Sequence, residues 1–128
     1  MLAERRVHVT LPVADLDRAR AFYERTLGFI PYSVQPTAVL YRAAEGTLFA
    51  VSKGSAQSSG SHTQMAFTTD DIDTEVAEAK AAGIVFEEYD LPGFKTVGSI
   101  ATVGPNRAAW FKDSEGNLIG VIQFAEDV

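Results

Sequence analysis

The chain has no cysteine among its 128 residues, and that absence removes several chemistries together. Disulfide staples, thiolate nucleophiles and cysteine-ligated zinc are excluded. No apolar run approaches the roughly 20 residues that span a bilayer, so no membrane segment is expected. The opening Met1–Val7 lacks the apolar stretch of a secretion signal, which makes the cytoplasm the expected location. Basic residues are scarce: 11 Lys and Arg stand against 17 Asp and Glu, for a formal net charge of −6. Such a surface repels phosphate backbones, so no nucleic-acid partner is expected. A Gly-rich phosphate loop followed by Lys is missing, as is a Gly-x-Ser-x-Gly nucleophile elbow.

What is present is ordinary globular material, with 46% apolar and 22% charged residues. A chain of this length folds as one domain and buries roughly two-thirds of its unfolded surface. Its organising feature is an internal repeat. An apolar run at Val7–Val13 leads into Asp15-Leu16-Asp17, and a second at Gln64–Thr69 leads into Asp71-Ile72-Asp73. Asp15 and Asp71 are 56 residues apart. Each can accept backbone N–H bonds as a helix N-cap, and the acid two residues on favours the positive helix start. Leu16, Ala19, Phe22, Tyr23 and Leu27 recur at helical spacing, as do Ile72, Val76, Ala79 and Ala82. Gly28 and Gly83 supply the left-handed C-terminal caps.

Further along each half, Tyr41–Leu48 parallels Phe111–Leu118 at an offset of 70 residues. Both read as a β-hairpin closed by a Glu-Gly turn. The larger offset reflects a longer middle in the second half, from Glu87 to Arg107. The repeated unit is therefore strand, helix and about three strands. Module one covers about 5–53, a Ser/Gly connector about 53–61 and module two about 62–125. Each sheet has one helix-covered face and one open face. The predicted fold class is α+β, two tandem βαβββ modules forming a curved mixed-sheet cup.

The stretch His8–Tyr23 resembles the opening of the vicinal oxygen chelate superfamily, and Trp110–Asn117 is similar to its closing hairpin. That superfamily includes glyoxalase I, extradiol dioxygenases, fosfomycin-resistance thiol transferases and bleomycin-binding resistance proteins. The resemblance implies metal ligands at four pseudo-symmetric places, on the first and last strand of each module. Carried onto this chain by the two offsets, those places are His8, Ala50, Gln64 and Gly120. Alanine and glycine have no side-chain donor, and a catalytic divalent ion needs about three protein ligands. His62, two residues from Gln64, is a possible substitute ligand or the end of the connector. No cofactor and no complete metal site are expected. The resemblance also implies a homodimer.

Strand alternation selects the residues that line the cup. Val7, Val9 and Leu11 suit the helix side, leaving His8 and Thr10 inward. Met65 and Phe67 do likewise, leaving Gln64, Ala66 and Thr68 inward. His8 and Gln64 are either ligand contacts or hydrogen-bonded structural groups. Of the repeat-equivalent pairs Leu40/Trp110 and Tyr41/Phe111, one member of each adjacent pair faces inward, and parity leaves open which. The segment Tyr89–Arg107 is either a lid, with Phe94 closing over a ligand, or an edge meander. The candidate ligand-binding residues are His8, Thr10, Tyr41, Ala50, Gln64, Phe94, Trp110 and Gly120. The expected function is a small-molecule binder that sequesters a drug or metabolite, its partner a small organic ligand. The alternative is an enzyme of the same superfamily, with His8 as general acid or base or with a metal held by His8, Gln64 and a third group.

Overall fold

A computed structural model describes residues 1–54 and 57–126, which form two compact units, Met1–Ser58 and Ser59–Val128. Ser55 and Ala56 of the expected connector lie outside the described residues.

The first unit runs β1 (Val9–Val13), α1 (Leu16–Ala21), β2 (Pro31–Val34), β3 (Ala38–Arg42) and β4 (Leu48–Lys53). Its sheet order is β1-β4-β3-β2, with β1 parallel to β4 and the other pairs antiparallel. This is the βαβββ unit read from the sequence. The Asp15 carboxylate accepts the Arg18 N–H at 3.0 Å and opens α1 as its N-cap. The helix continues into a π-helical turn, Phe22–Thr26, in which Leu27 N–H donates to the Phe22 carbonyl at 3.0 Å. Gly28, at φ +82°, then ends it in the left-handed conformation that glycine adopts without strain. Tyr23, on that turn, is fully buried among Tyr41 and Phe49, at ring-centroid distances of 5.7 and 5.3 Å. Phe29 closes the cluster against Phe49 at 5.1 Å. Burial of each such ring contributes roughly 1.5–3 kcal/mol.

The second unit runs β5 (Thr63–Thr68), α2 (Ile72–Ala81), β6 (Asp90–Leu91), β7 (Phe94–Val97), β8 (Ile100–Val103), β9 (Asn106–Lys112) and β10 (Leu118–Gln123). Its order is β5-β10-β9-β8-β7-β6, with β5 parallel to β10. Asp71 caps α2, accepting the Thr74 N–H at 3.2 Å and the Thr74 hydroxyl at 2.7 Å. Gln123 ties the helix to β10 by accepting the Ile72 N–H at 2.9 Å. Arg107 ties it to β9 with a two-pronged pair to Asp73, at 2.8 and 2.9 Å.

Here the structure departs from the plain βαβββ pattern. The strand after α2 shrinks to a bridge between Phe86 and Phe111 and one bond from Glu87 N–H to the Trp110 carbonyl at 2.8 Å. The long middle then folds as a meander of three short strands, β6 to β8, added beside β9. The segment is thus built of paired strands, as in the meander reading.

The repeat survives in strand register. Thr10, Ala50 and Leu40 lie side by side across β1, β4 and β3. Ala66, Gly120 and Trp110 lie side by side across β5, β10 and β9. These triplets are related by the two sequence offsets, 56 for the first strand and 70 for the hairpin. Leu11, Val13, Val39, Tyr41, Phe49 and Val51 form the helix-side core of the first unit. Ile72, Val76, Phe86, Phe111, Ile119 and Val121 do so in the second.

Candidate functional site

Alternation along β9 puts Ala109 and Phe111 into the core, so Trp110 projects from the opposite face, where it is half-buried. Two further rings join it. Phe94 lies 5.4 Å from Trp110, Tyr89 lies 5.8 Å from Trp110 at an interplanar angle of 80°, and Tyr89 and Phe94 are 5.4 Å apart. The meander brings these rings together. Gly93, at φ +75°, turns the chain between β6 and β7. Tyr89 N–H donates to the Thr96 hydroxyl oxygen at 2.8 Å, and Thr96 N–H donates back to the Tyr89 carbonyl at 2.9 Å. Burial pushes the Tyr89 phenol above its ordinary range, with nearby Glu87 adding to the effect. Trp110 and Phe94 were expected at the site. Tyr89 is not among the sequence candidates, because its place beside Trp110 depends on pairing with Thr96 seven residues on.

Beside the rings the sheet is shaved down. A Cβ built on Gly120 comes within 3.3 Å of both Ala66 Cβ and Thr63 Cγ2, and 3.6 Å from Trp110 Cδ1. Thr63 and the indole thus close over the β10 backbone, and glycine is what lets them approach.

Of its two readings, Gln64 takes the hydrogen-bonded structural one. Its amide nitrogen donates to Asn117 Oδ1 at 3.0 Å, and its amide oxygen accepts the Leu118 N–H at 3.3 Å. Asn117 is fully buried and donates its own Nδ2 to Asp113 at 2.8 Å. Asp113 also accepts the N–H groups of Glu115 and Asn117, at 2.8 and 2.9 Å. This chain shapes the β9–β10 turn around Gly116 and fastens β5 to it.

In the first unit the expectations need correction. Strand β1 begins at Val9, so His8 precedes the strand and is exposed, and Val7 is 86% exposed and not on the helix side. Tyr41 is wholly buried on the helix side, with its hydroxyl donating to Glu24 at 2.9 Å. Leu40 takes its place on the other face, between Ala50 and β2. Glu24 also accepts Arg20 Nε–H at 2.7 Å, which holds its carboxyl below the usual range against the opposing pull of burial. Burial, and then the bond to Glu24, push the Tyr41 phenol far above its ordinary value. Thr10 is exposed beside the buried Ala50, as alternation predicts. A missed feature is Arg42, whose guanidinium carbon lies 4.3 Å from the Tyr32 ring centroid.

The four family metal positions therefore carry an exposed imidazole, an amide engaged with Asn117 and Leu118, a methyl group at Ala50 and no side chain at Gly120. Among the described residues, no three His, Asp or Glu side chains come together as a group able to hold a metal ion. Nor is any helix among them long and apolar enough to cross a membrane.

The fold is shared with solved structures. TnmS3, an antibiotic binding protein from Streptomyces sp. CB03234, is 23% identical with a TM-score of 0.72, over 96% of this chain and 98% of that one. A glyoxalase/bleomycin resistance protein from the same Streptomyces strain is 23% identical with a TM-score of 0.66, over 91% and 98%. A glyoxalase/bleomycin resistance protein/dioxygenase from Alicyclobacillus acidocaldarius is 20% identical with a TM-score of 0.70, over 97% and 94%. No curated protein matches the chain. The family model of the Glyoxalase/Bleomycin resistance protein/Dioxygenase superfamily matches residues 5–121. The α+β chain, with its four- and six-stranded mixed sheets, belongs to that superfamily.

Proposed function

We propose that this protein binds a small organic molecule with a flat aromatic portion, and does so without a complete metal site. The carrying observation is the cluster of Trp110, Phe94 and Tyr89 on the face of the second sheet turned away from its core, beside the small, exposed Ala66. Aromatic walls with few polar groups suit apolar, planar ligands. The likeness to an antibiotic binding protein supports the same reading. The donor set at the four family positions does not fit a catalytic divalent ion. It lacks carboxylate, and its one amide is committed to the β9–β10 turn. An exposed His8 that precedes the strand gives the acid/base alternative less support. The net charge of −6 favours a cationic or neutral ligand over an anionic one. The proposal extends to a cytoplasmic homodimer; sedimentation tests the oligomeric state.

The test uses the single tryptophan as reporter. The flat cation proflavine and the flat anion pyrene-1-sulfonate are titrated while Trp110 emission and the melting temperature are followed. Binding predicts saturable quenching and a raised melting temperature, both weakened in Phe94→Ala. No quenching and no stabilisation by either probe would remove the reading.

A further inference from the structure

The β7–β8 hairpin contains a residue whose identity its backbone does not explain. Val97 and Ile100 pair across a two-residue turn, Gly98-Ser99, in which both residues have positive φ, +58° and +74°. Such turns favour glycine, asparagine or aspartate, because a Cβ is strained there. Serine stands at the second position, and it is 1% exposed. Its hydroxyl donates to Glu88 Oε2 at 2.6 Å. The other carboxylate oxygen of Glu88 accepts the Thr96 hydroxyl at 2.7 Å. Thr96, 7% exposed, is the residue whose hydroxyl oxygen takes the Tyr89 N–H at 2.8 Å. One carboxylate therefore binds two hydroxyls into a knot, and Tyr89 follows Glu88 directly while Phe94 lies two residues before Thr96. Both rings that pack on Trp110 hang from this knot.

We propose that Ser99 and Glu88 are positioning residues for the aromatic site. They hold the meander so that Tyr89 and Phe94 meet Trp110, and the strained backbone at Ser99 persists because its hydroxyl is needed there. The effect on ligand rests on the binding reading above, whereas the effect on the rings does not. Neither residue touches the ligand; each acts through the two rings. A ligand seated against rings free to wander must first order them, so loosening the knot lowers affinity more than stability.

Ser99→Gly separates these roles. It removes the Cβ that strains the backbone together with the hydroxyl that binds Glu88, so the two effects on stability oppose each other. Glu88→Gln is the second variant, because its amide keeps one acceptor oxygen for two hydroxyl donors. The readouts are the near-ultraviolet circular dichroism of the ligand-free rings, the affinity for proflavine or pyrene-1-sulfonate by calorimetry, and the melting temperature. Expected for Ser99→Gly is a near-ultraviolet band reduced by about half and affinity lowered about tenfold, with a melting temperature within a few degrees of wild type. Glu88→Gln moves the same way. An unchanged band with affinity within twofold of wild type would overturn the proposal. So would a drop in melting temperature of more than about 10 °C, which would make the knot a general stabiliser. If wild type binds neither probe, the function reading fails, while the dichroism of the ligand-free variants still decides the positioning claim.

Discussion

If Gln64 is a structural tie and not a vacant ligand, removing it must destabilise the protein with no metal present. In Gln64→Ala the 3.0 Å bond to Asn117 and the 3.3 Å bond from Leu118 N–H are lost. The first is an ordinary neutral bond worth about 1 kcal/mol, and the second is long and adds about half of that. Asn117 is fully buried, so its Oδ1 loses a partner where water does not reach, a penalty of roughly 1 kcal/mol or more. The expected loss is about 2.5 kcal/mol, close to 9 °C in melting temperature for a chain of this size. Asn117→Ala also removes the bond to the Asp113 carboxylate and is expected to cost about 3 kcal/mol. Because the two residues share a bond, the double variant falls short of the sum by about 1 kcal/mol. The assay is urea denaturation followed by far-ultraviolet dichroism, in chelator throughout. A Gln64→Ala cost below about 0.5 kcal/mol, or strict additivity in the cycle, would refute the tie.

Other consequences can be measured with the same tools. Tyr41→Phe deletes the hydroxyl bond to a partly exposed Glu24 and is expected to cost about 1 kcal/mol at neutral pH. The folded phenol keeps its proton while the unfolded one ionises near pH 10, so this contribution is present below that value and declines as pH rises beyond it. Tyr41→Phe should therefore flatten the loss of stability as pH rises above about 10. Gly120→Val places methyl groups where Thr63 Cγ2 and the Trp110 edge already stand. It should shift the Trp110 emission maximum and weaken proflavine or pyrene-1-sulfonate binding about tenfold, with Gly120→Ala milder in both. Unchanged emission in Gly120→Val would count against the packed seat.

Much of the fold was legible because its signals are local. Asp15 and Asp71 cap helices through bonds to residues three positions on, and Gly28, Gly83 and Gly116 mark their turns by conformations that side chains resist. The repeat offsets carried through to strand register, so Thr10-Ala50-Leu40 and Ala66-Gly120-Trp110 fell into equivalent rows. The site was less legible because its geometry depends on distant partners. Whether Leu40 or Tyr41 turns inward depends on the pairing of β3 with β4 and on Glu24, 17 residues away, accepting the Tyr41 hydroxyl. Gln64 is fixed by a partner 53 residues on. His8 missed its strand because β1 exists only as far as β4 pairs with it, from Val9 onward. Tyr89 entered the site through Thr96 and the meander, neither of which has a counterpart in the first half.

The most direct test of an aromatic, metal-independent site is calorimetric titration of chelator-treated protein with proflavine and pyrene-1-sulfonate, beside Trp110→Ala. One probe is expected to bind at one site per chain, with affinity falling about 30-fold or more in Trp110→Ala, the loss typical of a central aromatic contact. Added divalent metal should leave the titration unchanged. Binding that appears only after metal is restored, or that survives intact in Trp110→Ala, would contradict it.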